Sequence, residues 1–135
     1  MLQPIVIYVT GLAGFLALDA VWLSTMAPRV YKPAMGDLVA PGVNLGAAAL
    51  FYLIYGVGIV VFAVMPALGA GRWTTAFALG ALLGLVAYGT YDLTNHATLR
   101  NWPMIVTVLD MAWGTLATAL AATFAYAVAS RWLVG

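Results

Sequence analysis

Three aspartates lie within long apolar stretches of a chain that is otherwise poor in charge. They are Asp19, Asp92 and Asp110, and only 7% of the 135 residues are charged. A carboxyl group can bind a hard cation through oxygen, accept hydrogen bonds from a ligand, or act as a general acid or base. These three side chains are therefore the first candidates for chemistry in this sequence.

The stretch around Asp92 is the richest in polar groups. Helical spacings of three and four residues put Tyr88, Asp92, Asn95 and His96 on one face, with Tyr91 at its edge. His96 is the only histidine; it could bind a metal or transfer a proton, and a simple hydrogen bond near the headgroups is the alternative. The pattern predicts that one helix supplies most polar contacts of a pocket.

Asp19 and Asp110 have matching neighbours. Trp22 follows Asp19 by three residues, and Trp113 follows Asp110 by three residues. Each indole N–H could therefore donate a hydrogen bond to a carboxylate. The candidate ligand-binding residues are Asp19, Trp22, Tyr88, Tyr91, Asp92, Asn95, His96, Asp110 and Trp113. The three aspartates are also the candidates for binding a metal ion, whereas no particular cofactor or catalytic residue is indicated.

The elements that must position these residues are membrane-spanning helices. Hydrophobic residues make up 65% of the chain, whereas a soluble domain has about a quarter of its residues charged. A helix needs ~20 apolar residues to cross the ~30 Å hydrocarbon layer. Four segments qualify, at about residues 4–27, 45–65, 73–97 and 103–132. We predict an all-α, integral membrane four-helix bundle, with residues 1–135 as one transmembrane domain in the lipid bilayer.

Proline and glycine mark the connections of this bundle. Pro28 follows the first segment and Pro66 the second, which leaves residues 28–44 as the only long loop. Gly80 and Gly84 indicate a close helix contact, either inside the monomer or in a homo-oligomer. The aromatic residues near the segment ends are expected to be interfacial anchors; these are Tyr31, Trp73, Trp102 and Trp132.

The spacing of the aspartates puts them at one depth. At 1.5 Å per residue, each lies ~10 to 14 Å from the side of the first and third connections. A carboxylate that faces lipid costs ~2.5 kcal/mol or more, so all three should converge inside the bundle. The structural alternative is a set of buried polar residues that only holds helix register.

Composition excludes several function classes. The chain has no cysteine, which removes disulfides, thiolate metal sites and cysteine nucleophiles. Its net charge of +1 provides no basic patch for nucleic acid. No nucleophile elbow, P-loop or dinucleotide fingerprint is present. Cytoplasmic loops of membrane proteins carry an excess of lysine and arginine. The side of the first and third connections has three basic residues and the side of the termini has two, which favours termini outside the cytoplasm; these are Arg29, Lys32 and Arg100 against Arg72 and Arg131.

Several phrases of the sequence resemble one known family. They are LDAVWL at 18–23, YLIYG at 52–56, FAVMPAL at 62–68, YGTYDLTNHATLRNW at 88–102 and VLDMAWGT at 108–115. Together they resemble the domain-of-unknown-function 2177 family of small bacterial multi-pass membrane proteins. The resemblance implies a four-helix protein of the bacterial inner (cytoplasmic) membrane, without an assigned activity. The family pattern carries over onto Asp19, Trp22, Tyr91, Asp92, Thr94, Asn95, Thr98, Trp102, Asp110, Trp113 and Gly114.

Three functions fit these observations. We expect a one-sided intramembrane pocket that binds or modifies a lipid-like or isoprenoid small molecule, and whether the protein is an enzyme stays open. The alternatives are a non-catalytic accessory or assembly subunit of a membrane complex, and a proton- or cation-coupled small transporter, which would need a homo-oligomer. A transporter needs a polar path across the bundle, but the half opposite the aspartates offers mainly threonine hydroxyls.

Overall fold

The computed structural model describes residues 2–132, and within this range the chain is helical and has no strand. Four helices are long and apolar enough to cross a membrane. We number them α1 (Leu2–Leu38), α2 (Leu45–Ala70), α3 (Trp73–Thr98) and α4 (Met104–Trp132). Helices suit such a chain because they satisfy their own backbone hydrogen bonds where no water is present. The expected all-α four-helix membrane bundle is confirmed.

The first helix does not end before Pro28. The α-helix Leu2–Met26 continues through a π-helical turn, Ala27–Tyr31, a short α-helical turn, Lys32–Met35, and a 3₁₀ turn, Gly36–Leu38. Proline lacks an N–H and its ring clashes with the carbonyl four residues earlier, and the wider π turn accommodates both. The structure thus differs from the predicted end near residue 27, and the connection to α2 is residues 39–44 rather than a loop over 28–44.

The second helix passes its proline in the same way. A π-helical turn, Val60–Val64, precedes Pro66, and the helix continues to Ala70 instead of ending at residue 65. Gly71 then adopts a left-handed conformation with φ of 69°, which terminates the helix. At the other end, the Asn44 side chain accepts a hydrogen bond from the Ala47 N–H and caps the first turn.

The closest helix contact lies between α3 and α4. A Cβ atom on Gly80 would lie 2.8 Å from the Thr118 carbonyl oxygen, and one on Gly84 would lie 2.9 Å from the Thr115 Cα. Only glycine allows the two backbones to approach so closely. Gly80 and Gly84 therefore pack inside the monomer, and they are not exposed for a contact with a second copy.

The remaining helices complete a closed bundle. α1 packs on α2 and α4, and α3 packs on α2 and α4. Phe15, Ile59 and Val64 fill the centre, together with a row of alanines on α4. Large apolar side chains such as Val21 and Val86 cover the outer surface, as expected for a protein in contact with the lipid bilayer.

Candidate ligand-binding site

A cavity of about 460 Å³ lies at one end of the bundle. Its lining comes from all four helices, and consists of Asp19, Leu23, Phe51, Tyr52, Ala87, Tyr88, Tyr91 and Asp110. These positions lie in the middle of α1, about two turns after the starts of α2 and α4, and two to three turns before the end of α3. The cavity is therefore nearer to the first and third connections than to the second. Small-molecule sites have volumes of about 300 to 1,000 Å³. The cavity is therefore large enough for a small ligand or for the polar end of a longer one.

Asp19 is held by donors from two other helices. The Tyr52 hydroxyl donates to Asp19 Oδ2 at 2.5 Å, and Trp113 Nε1 donates to Asp19 Oδ1 at 3.1 Å. The Asp19 side chain is only 6% exposed. Because α2 and α4 each supply one donor, the carboxylate is fixed at the edge of the cavity. The indole that it binds is the one after Asp110, not its own neighbour Trp22.

Asp110 is reached by a short chain of hydrogen bonds from α1. Trp22 Nε1 donates to the Tyr31 hydroxyl at 2.8 Å, and that hydroxyl donates to Asp110 Oδ1 at 3.1 Å. The two indoles of the site stack on each other, with Trp22 and Trp113 ring centroids 4.5 Å apart and ring planes 3° apart. Aromatic stacking and hydrogen bonds thus join the surroundings of Asp19 and Asp110 into one structure.

Tyr31 contradicts its expected role as an interfacial anchor. The residue is buried, and it contacts a carboxylate inside the bundle. Sequence reasoning ended the helix at Pro28 and so placed Tyr31 in a loop. The π-helical turn at Ala27–Tyr31 carries the helix onward and returns the tyrosine ring to the bundle.

Asp92 is a neighbour of Asp110, and no group among residues 2–132 donates a hydrogen bond to it. Its side chain is 0% exposed, and neither carboxyl oxygen receives a hydrogen bond from a donor group among residues 2–132. The Asp110 carboxyl is its acidic neighbour on α4. A hydrogen bond between two carboxyl groups requires a proton on one of them. Asp92 and Asp110 can therefore form an acid pair, in which Asp110 faces the cavity.

The structure brings the three carboxyl groups into one cluster. Asp19 and Asp110 line the cavity, and the buried Asp92 is a neighbour of Asp110. However, no group of three or more His, Cys, Asp or Glu side chains among residues 2–132 is arranged to hold a metal ion. Binding of a metal ion by Asp19, Asp92 and Asp110 thus stays a prediction from the sequence.

The polar face of α3 divides into two parts. Tyr88 and Tyr91 line the cavity, whereas Asn95 and His96 are not among its lining residues. His96 Nδ1 lies 3.0 Å from Thr107 Oγ1. The same hydroxyl accepts a hydrogen bond from the buried Trp102 Nε1 at 2.9 Å. His96 thus belongs to a separate network that ties α3 to α4, and Trp102, which was expected at the interface, is buried in it.

Sequence reasoning missed the contribution of α2. That helix has no charged residue, and its small residues are typical of a scaffold. In the structure, Phe51 and Tyr52 line the cavity, and the Tyr55 hydroxyl lies 2.7 Å from Thr118 Oγ1 in the core. The available signal was the pair of tyrosine hydroxyls, three residues apart, in an otherwise apolar helix, because such hydroxyls need partners when buried.

Comparisons with known proteins identify a family. The model of a family described as a predicted membrane protein, DUF2177, matches residues 4–127. The match covers most of the chain, including all residues that line the cavity. No curated protein and no solved structure gave a match.

Proposed function

This chain belongs to the DUF2177 family of predicted membrane proteins, and we propose that it binds a lipid-like small molecule in the cavity between its four helices. The proposed setting is the inner membrane of a bacterium, with the three aspartates inside the hydrocarbon layer. The observation that carries the proposal is a cavity whose lining combines carboxyl and hydroxyl groups of buried or half-buried residues with exposed, mainly apolar side chains.

The mouth of the cavity is suited to an apolar chain. Leu23, Phe51 and Tyr91 line the cavity and are also 40%, 43% and 53% exposed, respectively, on the outer surface of the bundle. In a bilayer these side chains would face acyl chains. A molecule with an apolar body could enter from the membrane and keep that body between the helices, where it would be stabilised by burial of apolar surface.

The interior of the cavity is suited to a polar group. Asp19 and Asp110 present carboxyl oxygens, and Tyr52 and Tyr88 lie beside them. A few polar groups in an otherwise apolar pocket are typical of small-molecule sites, because they fix the orientation of the ligand. Residues that only held helix register would need no such space, since protein interiors are normally close-packed.

The apolar packing in the rest of the bundle favours a one-sided pocket rather than a path for transport. Phe15, Ile59 and Val64 are 0% exposed and fill the centre of the bundle. A polar substrate or an ion that crossed the membrane would have to pass this apolar core, where unpaired polar groups are costly. The arrangement therefore favours a ligand that enters and leaves on one side.

The test is the retention of a co-purified amphiphile by variants that fill the cavity. Ala87→Leu would place a larger side chain in the cavity lining. Ala81→Leu is the matched control, since it makes the same change on the same helix in a different, shallow groove between α3 and α4. Lipid extracts of the proteins, purified in dodecyl maltoside, are compared by mass spectrometry, and circular dichroism verifies that each variant is folded.

The expected result is an amphiphile that co-purifies with the parent and with Ala81→Leu and that is depleted from Ala87→Leu. Equal lipid content in all three proteins would refute the proposal, because annular lipid does not depend on the cavity. A parent without any bound amphiphile, paired with an unaffected melting temperature on lipid addition, would refute it as well.

A further inference from the structure

We propose that the bound molecule carries a positively charged group, an amine or a quaternary ammonium, which lies between Asp19 and Asp110. This inference rests on the proposed function and adds the chemical class of the ligand. It starts from the charges of the cavity, from the acid pair of Asp92 and Asp110 and from the aromatic rings around the cavity.

The cavity lining has acidic groups and no basic one. Two of its eight residues are aspartates, and none is lysine, arginine or histidine. All five basic side chains lie on the exposed surface; they are Arg29, Lys32, Arg72, Arg100 and Arg131. A phosphate or carboxylate in the cavity would meet two acidic groups without a counter-charge, and like-charge contacts in a site that excludes water are strongly unfavourable. A cation would have complementary groups on both sides.

The buried Asp92 adds a second, independent observation. This side chain is fully buried and receives no hydrogen bond from residues 2–132, and its acidic neighbour Asp110 lines the cavity. A proton shared by Asp92 and Asp110 satisfies their mutual hydrogen bond but leaves one negative charge on the pair. The donors around the carboxyl groups do not cancel this charge, since Tyr31, Tyr52 and Trp113 are neutral groups that only donate hydrogen bonds. A ligand cation would compensate this charge.

The walls of the cavity are suited to an organic cation. Phe51, Tyr52, Tyr88 and Tyr91 all line it, and ring faces attract ammonium groups through their quadrupole. Phe51 and Tyr52 form a tilted pair with centroids 5.3 Å apart. A bare metal ion would need several oxygen ligands at short distance, and no three acidic or histidine side chains among residues 2–132 are so arranged. The aromatic walls and apolar mouth instead fit an ammonium group on an apolar chain.

The test compares probes with one alkyl chain and different head groups. The purified full chain in dodecyl maltoside is titrated with dodecyltrimethylammonium, dodecanol and dodecyl sulfate, and bound fractions are measured by native mass spectrometry. We expect the ammonium probe to bind about tenfold tighter than dodecanol, or more, because each close charge pair is worth about 1.5 kcal/mol or more. Dodecyl sulfate should bind more weakly than dodecanol.

Variants assign this preference to the aspartates. Asp19→Asn and Asp110→Asn keep the shape of the side chain but remove its charge and replace one acceptor oxygen by an amide donor. Each should lower affinity for dodecyltrimethylammonium about tenfold and should change dodecanol binding much less. Asp37→Asn is the matched control, because Asp37 is an exposed acid in a turn away from the cavity. If one aspartate variant does not fold, the other decides the result.

The outcomes separate the two proposals. Equal affinity for ammonium and alcohol probes, unaffected by Asp19→Asn and Asp110→Asn but reduced by Ala87→Leu, would overturn the cation inference and leave ligand binding in place. Binding that is indifferent to Ala87→Leu, or no binding of any probe, would overturn both. A preference for the ammonium probe that persists in both aspartate variants would also refute the inference.

Discussion

The contact between α3 and α4 predicts a large difference between two apparently similar substitutions. Gly84→Ala adds one methyl group, and the new Cβ would lie 2.8 Å from the Gly114 carbonyl carbon and 2.9 Å from the Thr115 Cα. These neighbours are backbone atoms, which cannot rotate away. The two helices must therefore separate or tilt, and part of the packing between them is lost.

The magnitude follows from two opposing effects. Extra atoms in a well-packed core typically cost about 1 to 3 kcal/mol. Alanine regains roughly 0.5 to 1 kcal/mol relative to glycine within a helix, because it restricts the unfolded backbone. A contact with rigid backbone lies toward the upper end of the first range, so Gly84→Ala should lower the free energy of unfolding by about 1 to 2 kcal/mol or more.

Gly58→Ala is the matched control. A Cβ at Gly58 would have its nearest neighbours at 3.9 Å, which is ordinary van der Waals contact with two flexible side chains. This substitution gains the helix propensity of alanine without a clash, so stability should stay equal or rise by up to about 1 kcal/mol.

The assay is reversible unfolding in mixed micelles of dodecyl maltoside and dodecyl sulfate, followed by circular dichroism at increasing fractions of dodecyl sulfate. Equal midpoints for Gly84→Ala and the parent would refute the close backbone contact between α3 and α4. A loss of stability in Gly58→Ala as large as that in Gly84→Ala would refute the assignment of the effect to this contact, since it would indicate a general sensitivity to added methyl groups.

Two further predictions use the same assay. Tyr31→Phe removes the donor to Asp110 and the acceptor of Trp22, and should lower the free energy of unfolding by about 1 to 3 kcal/mol because buried polar groups lose their partner. The control is Tyr126→Phe, which removes a tyrosine hydroxyl from α4 outside the cavity lining; an equal effect of the two variants would count against the hydrogen-bond chain. Thr107→Val disrupts the network of His96 and Trp102 and should cost about 1 to 3 kcal/mol without depleting a bound amphiphile. Loss of the amphiphile in this variant would show that the network belongs to the binding site.

Sequence alone determined the class of the protein, and it predicted a common depth for three of its polar residues. Hydrophobic content and segment length depend only on composition and on the rise along one helix, so four spanning segments follow without any knowledge of packing. The same rise, counted from Pro28, Arg100 and Pro103, predicts one level for Asp19, Asp92 and Asp110. The starts of α2 and α3 agree with the predicted residues 45 and 73 because Asn44 and Gly71 provide local signals for a helix start and a helix end.

Proline alone did not predict where the first two helices end. Pro28 and Pro66 both predicted a helix end, yet both lie inside continuous helices that include a π-helical turn. The surrounding lipid overrides this local signal, because a helix in lipid gains more from keeping its backbone hydrogen bonds than it loses at one proline. The continued α1 brings Tyr31 to Asp110, a contact between residues 79 positions apart.

Only the tertiary structure decided which groups meet at that common depth. Trp113 donates to Asp19 rather than to its own neighbour, Asp92 is a neighbour of Asp110, and Tyr52 of the uncharged α2 completes the site. Depth is set by position along a helix, but partners are set by the rotation of each helix about its axis and by its neighbours. Those depend on close contacts such as the one at Gly84, which join residues far apart in the chain and leave no local pattern in the sequence.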